Sequence, residues 1–238
     1  MNSIFNYLLS LFIAIFVLPV ILFFALLIYL YDRHNPFYVA NRVGKNGKLF
    51  KMIKLRSMCV DSHKIPTVNT DSGITPIGKI IRKFKLDELA QIINVIKGDI
   101  NIIGPRPQVE MEAERYTTVE RRIFNVKPGI SDIASIVFSD QGDILKESQD
   151  PYLLYAQIER PWKSRLALLY IDHASLVLDL KIMFYTFTNI FARQWTLDRL
   201  SKIVSQWPCD VDLSEIVARR IPLYAYPVPG ADKIIEKL

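Results

Sequence analysis

The sequence predicts an α+β protein that is mainly α-helical, with an amino-terminal membrane helix, a small cytoplasmic domain containing a short β-hairpin, and carboxyl-terminal interfacial amphipathic helices. Three observations support this fold class. The first 31 of the 238 residues include no Asp, Glu, Lys or Arg. An Asn-Gly pair then separates two short apolar runs, which is typical of a hairpin. Beyond it, apolar residues recur mainly at helical spacing.

The amino-terminal segment, residues 1–31, is predicted to be a membrane helix. Its apolar part, residues 11–31, is long enough to cross a hydrocarbon core of roughly 30 Å. A cleavable signal peptide is disfavoured because a basic n-region and a small-residue cleavage site are missing. Pro19 removes one helix hydrogen bond and predicts a kink. Both a spanning helix and a re-entrant hairpin fit these residues. The segment by itself favours spanning, whereas the prediction for the chain as a whole is a re-entrant helix with its kink at Pro19.

The positive charge that follows is concentrated in one block. Residues 32–58 hold seven basic side chains and one acidic side chain, so their net charge of +6 equals that of the whole chain. A basic block beside a membrane segment indicates anionic head groups or phosphorylated substrates, and nucleic acid is not an expected partner. The positive-inside rule places this block in the cytoplasm. The two cysteines and three histidines are scattered, so no disulfide framework or zinc site is predicted.

Residues 32–175 form the predicted cytoplasmic catalytic domain. Residues 37–40 and 49–55 flank an Asn46-Gly47 turn and should pair as strands. Residues 61–75 are polar and predict a mobile loop. Residues 76–97 carry two helical stripes of apolar residues, and Gly98 is expected to end the second helix as its C′ glycine.

The carboxyl-terminal third divides into two predicted parts. Residues 176–207 predict amphipathic helices at the membrane interface, with charges that interrupt any second span. One apolar stripe there fits either the interface or an ordinary protein core; its members are Leu197, Leu200, Ile203, Val204 and Trp207. Residues 208–238 form an extension of unknown role, which either docks on the body or binds a partner.

Two adjacent carboxylates, Asp87 and Glu88, lie between the helical stripes and follow a cluster of cations. If a helix begins near Leu86, its dipole and those cations favour the ionised forms. An ionised aspartate can attack phosphorus, and a neighbouring glutamate can hold Mg²⁺. The competing interpretation is two ordinary first-turn residues, one of them paired with Arg82. These residues alone favour the competing interpretation.

Two proline-rich turns offer further cations. Pro105 and Pro107 bracket Arg106 and favour an extended backbone, which gives the guanidinium a stiff support for gripping a phosphate. A rigid turn with an incidental arginine explains the same pattern equally well. Downstream, Pro128-Gly129 has the composition of a type II turn, and the preceding Lys127 is a weaker candidate for substrate contact.

Taken together, these motifs resemble those of the bacterial sugar transferases, which are monotopic phosphoglycosyl transferases. The resemblance rests on several ordered runs over residues 1 to about 205. They are Gly44-Lys45-Asn46-Gly47, Lys54-Leu55-Arg56-Ser57-Met58, Arg82-Lys83-Phe84-Lys85-Leu86-Asp87-Glu88-Leu89, Lys97-Gly98-Asp99, Gly104-Pro105-Arg106-Pro107, Val126-Lys127-Pro128-Gly129-Ile130 and Ser175-Leu176-Val177-Leu178-Asp179-Leu180-Lys181.

The resemblance implies transfer of a sugar 1-phosphate from a nucleotide diphosphate sugar, commonly a UDP-sugar, to undecaprenyl phosphate. The reaction would release nucleoside monophosphate at the cytoplasmic face of the bacterial inner membrane and initiate a surface glycan such as exopolysaccharide, O-antigen or capsule. Asp87 would be the nucleophile that forms a covalent phosphosugar intermediate, and Glu88 would bind Mg²⁺. The residues implied to bind substrate phosphates are Lys54, Arg56, Arg82, Arg106, Lys127 and Asp179.

The chain departs from the family pattern at two places. Leu18 precedes Pro19 where a serine is usual, and residues 131–135 replace a usual Gly-Trp-Ala-Gln run. The expected partners are the nucleotide sugar, undecaprenyl phosphate and membrane lipids, together with a second copy of the chain or downstream glycosyltransferases. The alternative from another functional class is a non-catalytic membrane-anchored protein whose basic block binds anionic lipid or a partner enzyme.

Overall fold

The computed structural model describes residues 3–60, 73–146, 148–209 and 213–237. The mobile loop predicted at 61–75 therefore lies, apart from its last three residues, outside the described residues. The described chain is mainly helical, as predicted. Its helices are α1 Ser3–Asp32, α2 Pro76–Lys83, α3 Ile92–Lys97, α4 Glu110–Glu114, α5 Ile133–Val137, α6 Gln141–Leu145, α7 Pro151–Leu154, α8 Arg160–His173, α9 Leu176–Thr188, α10 Arg193–Val204 and α11 Leu213–Ala218. Its strands are β1 Phe37–Val43, β2 Leu49–Leu55, β3 Asn101–Ile103 and β4 Gly129–Ser131.

Helix α1 is continuous through Pro19. Among the described residues, it is the one helix long and apolar enough to cross a membrane, with a mean hydropathy of 3.3 over an 18-residue stretch within Ile4–Asp32. One side of it packs against the rest of the chain, whereas most of its large apolar side chains are exposed. The buried residues on the packed side include Ala14, Ile21, Ala25 and Ile28.

Polar contacts attach both ends of α1 to the body. Near its start, Asn6 Oδ1 accepts a hydrogen bond of 3.0 Å from the backbone N–H of Ile102. At its end, Asp32 accepts two hydrogen bonds from the Arg56 guanidinium, at 2.5 and 2.7 Å. The helix therefore lies along the body instead of projecting away from it.

The β-hairpin forms as predicted. β1 and β2 are antiparallel, with Phe37 opposite Leu55. Asn46 and Gly47 have φ values of 57° and 75°, the left-handed pair that the Asn-Gly sequence favours. The buried side chain of Asn94 in α3 bridges to β2, because it accepts a hydrogen bond from Ile53 N at 2.9 Å and donates one to Lys51 O at 2.8 Å. This bridge fixes the strand that carries Lys54.

The helical stripes of residues 76–97 are separated by a break in the helix. Thr75 caps α2 by accepting a hydrogen bond from Gly78 N at 2.9 Å. After α2, Lys85 adopts a left-handed conformation with φ 53°. A 3₁₀ run at Leu86–Gln91 then leads into α3, which Gly98 ends with φ 81°. The 3₁₀ run meets the condition that a helix begins near Leu86, and the predicted C′ glycine is confirmed.

A second small sheet was not predicted. β3 and β4 pair in parallel, and strands of three residues are too short to produce a recognisable alternating pattern. The type II turn predicted at Pro128-Gly129 is wrong, because Gly129 has no positive φ and opens β4. Glycine is needed there for a different reason: a Cβ at Gly129 would lie 2.1 Å from Gly104 N.

The carboxyl-terminal helices differ in what they bury. Leu197, Leu200 and Val204 of α10 are at most 2% exposed, so the stripe that fitted either interface or core lies in the core. Helix α9 instead exposes a row of large apolar side chains, and its position at a membrane interface stays a prediction. The exposed side chains of α9 include Leu176, Val177, Leu180, Phe184 and Phe187.

Candidate active site

The two carboxylates meet two cations that come from other parts of the chain. Asp87 and Glu88 lie in the first turn of the 3₁₀ run. Lys54 extends from β2, with its Nζ 3.2 Å from Asp87 Oδ2 and 3.2 Å from Glu88 Oε1. Arg106, from the segment after β3, places Nη2 2.5 Å from the same Glu88 oxygen. The side chains of Asp87 and Glu88 stay 19% and 20% exposed, so solutes can reach both.

The cations hold Glu88 in its charged form. Burial opposes its ionisation, but the charges and hydrogen bonds of Arg106 and Lys54 outweigh this effect and lower the pKa of Glu88 to about 2. The same carboxylate raises the pKa of Arg106. Burial lowers the pKa of the neighbouring Lys85 ammonium, which the Glu88 charge opposes. Glu88 is therefore a carboxylate at neutral pH.

This cluster opens into a large cleft. The cleft has a volume of about 1120 Å³, slightly above the roughly 300–1,000 Å³ usual for small-molecule sites. Its lining combines the four clustered residues with further cations and with side chains from α5, α6 and α8. The lining residues outside the cluster include Arg56, Arg82, Lys85, Asp132, Tyr155, Arg160 and Lys163.

Arg82 and Arg56 both line the cleft, but each is already engaged. Arg82 Nε donates to Ser57 Oγ at 2.9 Å, whereas the competing interpretation expected it to pair with Asp87 or Glu88. Arg56 is held by Asp32 at the end of α1. Arg56 therefore links the apolar helix to the cleft wall.

Lys127 and Asp179 are not among the described residues that line the cleft. Asp179 in α9 is 1% exposed and accepts a hydrogen bond of 2.7 Å from Tyr170 Oη, which ties α9 to α8. Lys127 directs its ammonium toward Gly98, 3.8 Å from where a Cβ on that glycine would lie. Neither position supports contact with a phosphate inside the cleft.

Asp132 is a cleft residue that sequence reasoning missed. It caps α5 by accepting hydrogen bonds from Ser135 N and Ser135 Oγ, at 2.6 and 2.5 Å. Burial raises its pKa, while Ser135 and Arg106 oppose that shift. The signal was present, because Asp is a preferred N-cap residue, but residues 131–135 are interpreted from the sequence only as a departure from the family pattern.

The donor set at the cluster fits a magnesium ion, for which Glu88 was predicted to be a ligand. The described residues contain no group of three or more His, Cys, Asp or Glu side chains that could enclose a metal. Mg²⁺, however, is usually bound by one or two carboxylates together with substrate phosphates. Asp87 and Glu88 supply two adjacent, partly exposed carboxylates, and this open arrangement suits an ion shared with a substrate.

Comparisons with known proteins agree with the motifs. The chain is 34% identical over 184 residues to a UDP-N-acetylgalactosamine-undecaprenyl-phosphate N-acetylgalactosaminephosphotransferase of Aeromonas hydrophila, which covers 72% of this chain and 39% of that protein. It is 38% identical over 119 residues to a galactosyl transferase of Streptococcus agalactiae, covering 44% of this chain and 26% of the relative. It is 36% identical over 129 residues to an undecaprenyl-phosphate galactose phosphotransferase of Salmonella typhimurium, covering 44% of this chain and 27% of the relative.

The match therefore spans well under half the length of each of these three relatives. The family model for bacterial sugar transferases matches residues 1–193, which include α1, the hairpin, both carboxylates and Arg106. The resemblance drawn from the motifs is confirmed, and the chain belongs to the bacterial sugar transferase family.

Proposed function

We propose that the protein transfers a sugar 1-phosphate from a nucleotide diphosphate sugar, with UDP as the nucleotide, to undecaprenyl phosphate, and so initiates a surface glycan. The observation that carries the proposal is the Asp87-Glu88 pair, held by Lys54 and Arg106 in the wall of a cation-lined cleft. Relatives named for transfer to undecaprenyl phosphate support the same acceptor and the use of UDP-sugars.

In the first step, a carboxylate oxygen of Asp87 attacks the phosphorus that bears the sugar. The bond from that phosphorus to the bridging oxygen breaks, and the oxygen leaves with UMP. The sugar phosphate is then bonded to Asp87 as an acyl phosphate. Lys54 lies 3.2 Å from Asp87, where it can orient the nucleophile and stabilise charge on the equatorial phosphate oxygens.

In the second step, a phosphate oxygen of undecaprenyl phosphate attacks the same phosphorus. The bond to Asp87 breaks, which regenerates the carboxylate and yields a lipid diphosphate sugar. Neither displacement requires net proton transfer. This fits a site whose described side chains nearest the nucleophile are charged cations and a carboxylate, and no histidine is among the described residues that line the cleft.

Glu88 is the proposed magnesium ligand. When bound, Mg²⁺ would neutralise part of the phosphate charge. Arg106 and Lys54 keep Glu88 ionised and fix the position of its carboxylate. Arg82 and Lys85 add positive charge along the cleft wall, where substrate phosphates can enter.

The proposed setting is the cytoplasmic face of the bacterial inner membrane, with α1 re-entrant. Two attachments support this geometry. Asn6 near the start of α1 and Asp32 at its end both bind the same body, so both ends are expected on one side of the bilayer. The exposed apolar side chains of α9 support further contact with lipid.

The direct test is to trap the covalent intermediate. The purified protein is incubated with Mg²⁺ and a panel of UDP-sugars but without acceptor, and its mass is measured after proteolysis. We expect one UDP-sugar to release UMP and add a sugar phosphate to the peptide containing Asp87. Asp87→Asn is the matched control and should carry no adduct.

Three other results would contradict all or part of this proposal. If UMP is released only when acceptor is present and no adduct forms, the sugar phosphate is transferred directly and Asp87 is not the nucleophile. If turnover is unchanged in a chelator, the reaction does not use Mg²⁺. Membrane binding without UMP release from any nucleotide sugar would favour the non-catalytic alternative.

A further inference from the structure

The carboxyl-terminal tail, residues 220–237, packs onto α8 and the turn before it. The Tyr226 ring stacks on Trp162, with centroids 4.9 Å apart and planes at 26°. Arg165 lies 4.7 Å above the same tyrosine ring and donates to Pro227 O at 2.8 Å. Tyr224 completes an aromatic cluster, with its ring centroid 5.0 Å from that of Trp162. The carboxyl-terminal extension therefore docks on the body, which is one of the two alternatives that the sequence left open.

The tail also grips an unusual turn. Residues Tyr155–Glu159 form a π-helical turn directly before α8. Gln157, at its centre, contacts the tail twice: its carbonyl accepts a hydrogen bond from Tyr226 N at 3.1 Å, and its Nε2 donates to Ile235 O at 2.7 Å. A π turn holds one more residue than an α turn, is rare, and occurs frequently at functional sites.

The other face of this segment lines the cleft. Arg160, Lys163, Ser164 and Ala167 recur at helical spacing and all contribute to the lining, together with Tyr155 from the π turn. We call these five residues the α8 wall. Trp162 and Arg165, which the tail contacts, lie on a different face of the same helix. The tail therefore supports the wall without entering the cleft.

Lys163 gives the α8 wall a defined shape. Its Nζ lies 2.6 Å from Glu159 Oε2, donates to Gln141 Oε1 at 2.8 Å, and sits 5.1 Å from the centre of the Tyr155 ring. The ammonium thus joins α8 to α6 and is held beside an aromatic face. A small rotation of the π turn would change the distances from Lys163 to Tyr155 and to Glu159, because both of these residues belong to the turn.

We propose that the tail is a positioning element for substrate binding. Through Gln157 and Trp162 it fixes the α8 wall. The α8 wall in turn contacts a hydroxyl-bearing ring of the nucleotide sugar, which belongs either to the nucleoside or to the sugar. The cleft is too large for phosphates alone, and the α8 wall offers the Tyr155 ring and the Lys163 ammonium for contact with such a ring. The inference rests on the proposed function. The tail lies outside the residues matched by the family model, 1–193.

The test compares substitutions at the tail contact in the full-length, membrane-bound protein. Gln157→Ala removes one hydrogen bond to the tail, and Tyr226→Ala removes the stacking, whereas Tyr226→Phe keeps it. The exposed Gln206 provides the control Gln206→Ala. Initial rates of UMP release are measured against UDP-galactose and UDP-N-acetylgalactosamine, and KM and kcat are separated.

We expect the KM for the preferred nucleotide sugar to rise about three- to tenfold in Gln157→Ala, and at least as much in Tyr226→Ala, with kcat unchanged. Tyr226→Phe and Gln206→Ala should match the wild type. A parallel rise in the inhibition constant of UMP would mean that the ring on the α8 wall is the nucleoside. An unchanged constant for UMP, with altered preference between the two sugars, would mean that it is the sugar.

Two results would overturn the inference. One is a lower kcat with unchanged KM in both alanine variants, because loss of folded enzyme alone has that effect. The other is wild-type kinetics in both variants. If the wild-type protein itself releases no UMP from any nucleotide sugar, the proposed function fails before the tail is tested.

Discussion

Two carboxylate-arginine pairs in this molecule have the same chemistry and opposite surroundings. Glu120 is fully buried and accepts four hydrogen bonds: from Arg160 at 3.0 and 2.7 Å, from Ser164 at 2.7 Å and from Thr117 N at 3.0 Å. Glu88 is one-fifth exposed and meets Arg106 and Lys54 through a single oxygen. Both pairs contain an ion pair, so the ion pair itself does not distinguish them. A structural pair differs from one available to a substrate because its carboxylate has all its hydrogen-bonding positions filled.

The desolvation cost explains this difference. A fully buried carboxylate must have all its lone pairs satisfied, because each one left unpaired would be expensive. Glu120 meets that requirement and so has no capacity for a ligand. Glu88 keeps contact with solvent in the cleft, where a metal or phosphate can replace water.

The largest expected effect is at the nucleophile. Asp87→Asn should lower the rate of UMP release by about 10⁴-fold or more, because an amide cannot form the acyl phosphate. Its effect on unfolding in denaturant should be small, since Asp87 is 19% exposed and makes one ion pair. Parallel measurements of initial rate and denaturation check both halves. Retained turnover would place the nucleophile elsewhere.

The next effect concerns stability. Glu120→Ala should destabilise the fold by about 3–5 kcal/mol, because it leaves the Arg160 charge buried without its partner. Glu88→Ala, the matched change at the partly exposed pair, should cost less, because solvent in the cleft can reach Arg106 and Lys54 once their partner is lost. Denaturation of detergent-solubilised protein measures both. Equal losses in the two variants would contradict the comparison.

A smaller effect is expected at the cation that holds Glu88. Arg106→Lys should lower kcat/KM by about 10²-fold, because a lysine cannot reproduce the planar fork of the guanidinium. Arg199, an exposed arginine on α10, provides the control Arg199→Lys, which should retain normal rates. A normal kcat/KM for Arg106→Lys would show that positive charge alone is sufficient at this position.

The smallest effect is a pH dependence. The pKa of Glu88 falls from 4.5 to about 2 in the folded protein, so the carboxylate contributes stability above pH 4.5, and this contribution is lost as pH falls toward 2. The difference in unfolding free energy between wild type and Glu88→Gln should therefore stay constant from about pH 8 to about pH 5 and shrink below that. A difference that already shrinks near pH 7 would contradict the low pKa.

Some of this site could be predicted from the sequence. Asp87, Glu88, Lys54 and Arg106 were identified by their motifs, and the structure brings all four together. Their contacts join residues 18 to 34 positions apart, and no helical or strand periodicity reveals such pairings. The hairpin was predictable because its turn chemistry is local.

Other features depended on tertiary structure. Glu120 and Arg160 each look like ordinary surface residues in the sequence, and their burial becomes evident only when they meet 40 positions apart. Asp179 matched a motif but holds Tyr170 inside the body. The resemblance to the family identified Asp179 as a matching position, but it did not indicate whether the side chain faces the cleft or the core.

The two attachments of α1 have a mechanical consequence. Asn6 binds Ile102, four residues before Arg106, and Asp32 binds Arg56, two residues after Lys54. The ends of the apolar helix are thus fastened beside the two cations that hold Glu88. Because of these two contacts, tilting of the helix would displace residues on both sides of the Glu88 carboxylate. We therefore expect the turnover rate to depend on lipid acyl-chain length, and hence on the thickness of the bilayer.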